Sequence, residues 1–138
     1  SIPDGAKECL AGMGQWLKLN GEAVFETMPW VSYGEGPTKM ESAGMFSERH
    51  EVEYTPQDIR FTCRDNLLYA TCLGWPEKKA TIKSMKKLYP GEIESVKLLG
   101  IDEELTWSMT QDGLEIDVPE EKPCENAFVF KITRKSPF

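Results

Sequence analysis

The spacing of apolar positions changes character once along this chain. Over residues 3–19, Ala6, Cys9, Leu10, Met13, Trp16 and Leu17 recur at helical intervals and form one apolar face. Pro3 suits a first helical turn, where its missing N–H is no loss. Asp4 and Glu8 put negative charge near the positive end of the helix dipole. Lys18 and the Asn20-Gly21 pair mark the far end. The spacing predicts one amphipathic helix. Gly12 and Gly14 each cost such a helix about 1 kcal/mol relative to alanine. They are either tolerated or required by the close approach of a neighbouring backbone.

Residues 21–50 are irregular, because Pro29, Gly34, Gly36, Pro37 and Gly44 interrupt any long element. Within them, Trp30, Val31 and Tyr33 suit the start of a strand. Beyond about residue 51 the period falls to two. Asp58–Arg64 and Leu67–Gly74 form a predicted hairpin around Asp65-Asn66. That register pairs Cys63 with Leu68, Phe61 with Ala70 and Ile59 with Cys72. These six side chains take one face; Arg60, Thr62, Arg64, Tyr69 and Thr71 take the other. Further strands are expected over 80–85, 93–99 and 127–133, the last with Phe128, Phe130 and Ile132 on one face. A second hairpin, 105–110 with 114–118, is expected around Asp112-Gly113, setting Trp107 opposite Val118 and Met109 opposite Ile116. Short strands with turn signals and no helices between them predict a mainly β fold, an antiparallel β-sandwich preceded by one amphipathic α-helix.

Composition narrows the function classes. The chain has 138 residues, enough for one domain and a short appendage. A net charge of −7 argues against nucleic acid as a partner, since phosphate binding needs a clustered basic footprint. The densest basic run, Lys78, Lys79, Lys83, Lys86 and Lys87, reads as a solvated strand face and turn. No stretch approaches the roughly 20 apolar residues of a membrane span, and no signal peptide is seen. Cys9, Cys63, Cys72 and Cys124 form no CxxC pair, and His50 is the single histidine. A structural metal is therefore not expected. Cys63 and Cys72 read as buried free thiols rather than a disulfide.

The helix and its exit carry a more specific signal. Gly14-Gln15-Trp16-Leu17-Lys18-Leu19-Asn20-Gly21-Glu22-Ala23-Val24-Phe25, followed by Pro29-Trp30, resembles a segment of the α-L-fucosidases of glycoside hydrolase family 29. There the corresponding segment closes a catalytic (β/α)8 barrel and opens a C-terminal sandwich. Val24-Phe25 replaces the usual Ile-Tyr, and Met28 stands where Arg is common. The resemblance continues through Tyr33-Gly34-Glu35-Gly36-Pro37, Asp58-Ile59-Arg60-Phe61-Thr62, Leu68-Tyr69-Ala70, Gly74-Trp75-Pro76, Val96-Lys97-Leu98-Leu99-Gly100, Leu105-Thr106-Trp107 and Asp112-Gly113-Leu114.

The resemblance implies that residues 1–28 are the terminal helix and linker of the barrel and 29–138 the C-terminal β-sandwich. It implies a chain that starts inside the catalytic domain, whose barrel is the natural partner of the helix's apolar face. Family 29 enzymes are retaining exo-glycosidases that release α-L-fucose, which requires two carboxyl groups flanking the bond. The family's nucleophile and fucose-binding histidines lie before this segment, so no catalytic residue is carried over and no cofactor is implied. The implied role is a non-catalytic accessory domain that stabilises the barrel, inactive by itself. The alternatives are a carbohydrate-binding module and a protein-interaction sandwich. The family implies a periplasmic or secreted compartment, or a lysosomal one in a eukaryote.

Candidate chemistry within the chain is sparse. Glu103-Glu104 and Glu120-Glu121 read as solvated loop carboxylates, and Asp102 with Glu103 and Glu104 lacks an EF-hand pattern. His50 has no nucleophile partner in the sequence. Gly34-x-Gly36 is too short for a nucleotide loop. Tyr69 and Trp75 are the candidate sugar-stacking platforms, weighed against ordinary packing, which is favoured. Trp30 and Tyr33 are expected to seat the sandwich against the barrel. Without the barrel, the helix is expected to cover its apolar face with its own sandwich or by self-association with a second copy.

Overall fold

The computed structural model describes residues 13–37, 54–87, 90–125 and 127–136. Cys9, Gly12, Gly44 and His50 lie outside them. The described chain opens with a helix, α1, over 13–20, continued by a 3₁₀ turn, Gly21–Ala23. Eight strands follow: β1 (Met28–Glu35), β2 (Ile59–Arg64), β3 (Leu67–Cys72), β4 (Lys79–Ile82), β5 (Ile93–Leu98), β6 (Trp107–Thr110), β7 (Gly113–Asp117) and β8 (Phe128–Arg134). One sheet has the order β1-β2-β3-β8-β5 and the other β4-β7-β6; all pairings are antiparallel. The two sheets enclose a core that includes Ile59, Phe61, Leu68, Ile82, Leu98, Leu114, Ile116 and Phe130. This is the expected antiparallel sandwich.

The first hairpin has the expected register. Cys63 faces Leu68, Phe61 faces Ala70 and Ile59 faces Cys72, and all six are buried. Asp65 takes a positive φ of 53° in the two-residue turn, a conformation in which Asp is enriched. Phe128, Phe130 and Ile132 share the core face of β8, also as expected. Cys63, Cys72 and Cys124 are free thiols.

The second hairpin differs from its expected register by two residues. Trp107 faces Ile116 rather than Val118, and Met109 faces Leu114 rather than Ile116. The turn is Gln111-Asp112, flanked by the pair Thr110 and Gly113. Thr110 organises it: its hydroxyl accepts from the Asp112 N–H at 3.1 Å and donates to the Gly113 carbonyl at 3.2 Å. Gly113 begins β7 instead, with φ of 138° and its Cα pressed against the Ile82 backbone at the end of β4. Contact between β4 and β7, not turn chemistry, claims this glycine. A two-residue slide keeps the same faces inward, so the apolar pattern alone could not reveal it.

The strand expected over 80–85 is also corrected. β4 ends at Ile82, and Lys83–Lys87 winds into a 3₁₀ segment. Glu35 explains the switch. Its two carboxylate oxygens accept the Lys83 and Ser84 backbone N–H groups, each at 2.8 Å, at the start of that segment. Met85 still reaches the core. Lys78, Lys79 and Lys83 are exposed, in keeping with a solvated basic run. β1 pairs with β2 through an irregularity between Pro29 and Gly34, and Trp30 packs edge-on against Phe61 with ring centroids 5.2 Å apart.

Candidate functional site

The five-stranded sheet is covered on both faces. β3 places Leu68, Ala70 and Cys72 toward the other sheet, yet Tyr69 between them is also fully buried. Tyr69 belongs to a second, smaller core on the outer face, with Ala23, Leu99 and Val129, packed by Trp16 and Leu67. The exit of α1 supplies this cover. Trp16 lies on the sheet and donates its indole N–H to the Ala127 carbonyl at 2.9 Å. Ala23 fits against the sheet where little room remains, and its carbonyl accepts the Thr62 hydroxyl at 2.6 Å.

Polar groups fix this seat. Glu22 Oε2 accepts the Tyr69 hydroxyl at 2.8 Å and pairs with Lys131 Nζ at 2.8 Å. Arg64 Nη2 lies 3.4 Å from the Tyr69 oxygen. Burial pushes the Glu22 carboxyl up, but its bonds from Lys131 and Tyr69 and the charges of Lys131 and Arg64 outweigh that and hold it below the ordinary range. Burial, with the bond and charge of Glu22, pushes the Tyr69 phenol up to about 12. Tyr69 is therefore a neutral donor to an ionised carboxylate. Asn20 is buried beside it, its amide donating to the Trp16 carbonyl at 3.2 Å and reaching Cys124 Sγ at 3.6 Å. The sequence Asn20-Gly21-Glu22-Ala23 thus works as a seat: Asn20 bonds to the helix and reaches Cys124, and Glu22 and Ala23 bond to the sheet.

Tyr69 consequently does not offer a stacking platform. Its ring is 0% exposed, and a sugar needs an open face. Trp75 lies elsewhere, against the inter-sheet core, with its ring centroid 4.8 Å from that of Phe128 in an edge-on contact. It also walls an open cleft of about 1040 Å³ with Glu35, Pro76, Glu77, Lys79, Lys83 and Asp112 among its lining. The sheet separates the two aromatic candidates, so they form no common surface. Glu103, Glu104, Glu120 and Glu121 are exposed. Among the described residues, no group of three or more His, Cys, Asp or Glu is placed to hold a metal ion. Nor is any helix among them long and apolar enough to cross a membrane. A Cβ added at Gly14 would meet nothing within 4 Å in this chain.

Sequence reasoning did not single out Glu22, Arg64 or Lys131 as a group. One signal was present. Leu67-Leu68-Tyr69-Ala70 is a continuous apolar run inside an alternating strand, the mark of a strand covered on both faces.

Comparison with known proteins bears on the sandwich as a whole. The family described as the α-L-fucosidase C-terminal domain matches residues 52–133. Plasma α-L-fucosidase of Homo sapiens is 32% identical over 132 residues, which are 92% of this chain and 25% of that protein. Tissue α-L-fucosidase of Rattus norvegicus is 30% identical over 135 residues, covering 93% of this chain and 24% of that protein. Among solved structures, Thermotoga maritima α-fucosidase in complex with a mechanism-based inhibitor superposes with a TM-score of 0.69 at 25% identity, covering 96% of this chain and 27% of that one. The chain spans about a quarter of the length of the curated relatives it matches. The sandwich and these matches agree: this chain belongs to the α-L-fucosidase C-terminal domain family.

Proposed function

We propose that this chain is the non-catalytic accessory domain of a larger α-L-fucosidase and that it stabilises the catalytic barrel preceding it. The observation that carries this reading is the seat of Asn20–Ala23 on the outer sheet face. A helix whose exit is pinned by buried apolar contacts, an ion pair and several long-range hydrogen bonds transmits its orientation to the sandwich. In this reading residues 1–28 are the last helix and linker of the barrel and 29–138 the sandwich. The retaining chemistry, with its two carboxyl groups about 5 Å apart, belongs to the preceding domain. Its substrates would be α-L-fucosylated glycans, met in a periplasm, a lysosome or the extracellular space.

The test is hydrolysis of an aryl α-L-fucoside by the purified chain and by the full-length enzyme. Turnover is expected from the full-length enzyme alone. Turnover by this chain that persists after contaminating activities are removed overturns the reading. In the isolated chain Trp16 seats on the sandwich, which supports an intramolecular cover for the helix over self-association.

A second reading rests on Trp75. An indole on the wall of an open cleft rimmed by Lys79, Lys83 and Asp112 suits a sugar ring stacked on the aromatic face, its hydroxyls bonded by the rim. Titration with fucose and fucosylated oligosaccharides, followed by tryptophan fluorescence in the wild type and in Trp75→Phe, measures it. A response lost in Trp75→Phe supports it; flat titrations at millimolar sugar end it.

A further inference from the structure

The exposed large hydrophobic residues of the described chain are Met13, Val24, Phe25 and Met28, all in the stretch that leads into the sandwich. Their exposures run from 51% to 63%, whereas most other large apolar side chains of the described residues are buried in, or packed against, the two cores. Val24 and Phe25 follow directly on the seat and sit on a turn that is built rather than slack, and Met28 opens β1 just after it, opposite Cys63 of β2. The Val24 and Phe25 N–H groups both bond to the Gly21 carbonyl at 2.9 Å. The Thr27 hydroxyl donates to the Val24 carbonyl at 3.0 Å. Arg64 Nη1 reaches the Phe25 carbonyl at 3.5 Å. Glu26 adopts a φ of 58°, an uncommon conformation for a residue other than glycine. The Phe25 ring also lies over Gly21, where an added Cβ would stand 2.9 Å from Cε2. A strained, multiply bonded turn that holds apolar side chains out in water is a preformed contact, because its ordering cost is met before binding.

We infer that Val24, Phe25 and Met28 form an apolar knob that inserts into the catalytic domain preceding this chain in the full-length enzyme. The inference rests on the proposed function above and names its surface. The occupant follows from two observations. The family is a C-terminal domain, and this chain is a quarter of its relatives' length, so the remaining three quarters supply a large body on the N-terminal side. The knob lies on that side, immediately after the helix through which the chain arrives. Phe and Met are enriched at protein interfaces, and exposed apolar patches mark interaction sites.

The experiment uses the full-length enzyme encoded by the natural gene. Peroxide oxidation is followed residue by residue by mass spectrometry. Met28, 63% exposed in the sandwich alone, is expected to oxidise about tenfold or more slowly in the folded enzyme than in the unfolded one. Oxidation of Met28 at the unfolded rate overturns the inference. In parallel, Phe25→Asp is compared with Phe25→Leu and with Gln111→Asp on the distant β6–β7 turn. Phe25→Asp is expected to split a single calorimetric transition into two, while Phe25→Leu and Gln111→Asp keep one. A single unshifted transition in Phe25→Asp overturns the knob. So does protection of Met28 that depends on protein concentration, which would assign the surface to a second copy. A gene with no catalytic domain before this chain removes the proposed function itself, a failure distinct from either result.

Discussion

Glu22 Oε2 and the Tyr69 hydroxyl are 2.8 Å apart, joining the residue just past the helix to the middle of β3, 47 positions later. Lys131, on the neighbouring strand β8, faces Tyr69 in the ladder and completes the arrangement from the side. One carboxylate therefore ties together the helix exit, the central strand β3 and its neighbour β8.

Removing the hydroxyl alone measures that tie. Tyr69→Phe keeps the ring in the outer core but removes the hydroxyl that donates to Glu22, leaving it the Lys131 ion pair and the Arg64 charge. Loss of a hydrogen bond to a charged group is worth about 1.5–3 kcal/mol; partial exposure of Glu22 puts the expected loss near the lower end. Tyr69→Ala also empties the outer core and should cost about 3–5 kcal/mol. Urea unfolding of the three proteins should rank them wild type, Tyr69→Phe, Tyr69→Ala.

The acid dependence has a definite sign. The Glu22 carboxyl is held below the ordinary carboxylate range in the folded protein. Its contribution is therefore fully present above the unfolded value and is lost as pH falls through the lower folded one. Wild type should exceed Glu22→Gln in stability at neutral pH, and the gap should close below about pH 4. Since 38% of the Glu22 side chain is exposed, solvent screening limits the gap to about 1 kcal/mol. Paired denaturation curves from pH 3 to 7 would show it; a gap that widens in acid would contradict the assignment.

Two glycines make a controlled pair. Gly113→Ala demands a positive φ of an alanine and drives its Cβ into the Ile82 carbonyl, so a loss above about 1 kcal/mol is expected. A Cβ at Gly91 meets nothing within 4 Å. Gly91→Ala should be neutral or stabilise by about 0.4–1 kcal/mol through the unfolded chain. Thermal unfolding distinguishes the two directly.

Thiol reactivity should follow burial. Cys72 is fully buried, and burial with the nearby Glu35 charge pushes its thiol up to about 12; burial also raises Cys63. Both should resist a thiol reagent at pH 7 and label only when the protein unfolds. Rapid labelling of Cys72 in the native protein would mean that the two sheets separate readily.

The first hairpin was legible because its turn and its pattern agree. Asp65 tolerates a positive φ, and six apolar side chains at a spacing of two need one register to face inward. The second hairpin was legible in its faces but not its register, since Gly113 looked like a turn residue and was needed for close approach to β4. Tyr69 was assigned the correct face, and packing was favoured there over a sugar platform, but what packs on it was not legible. Alternation says which side of a sheet a residue takes, not what covers that side.

The sequence by itself determined the class of fold, most strand positions, the core face of the larger sheet and the family resemblance. These rest on local periodicity and ordered short motifs, which are properties of neighbouring residues. Only the tertiary structure decided that the helix exit folds back on the outer face, burying Tyr69 and pairing Glu22 with Lys131 across 109 positions. It also decided that Gly113 serves contact between strands rather than the turn. Those outcomes depend on groups distant in sequence meeting in space, where burial, charge and backbone clearance act together and no single stretch of chain carries the information.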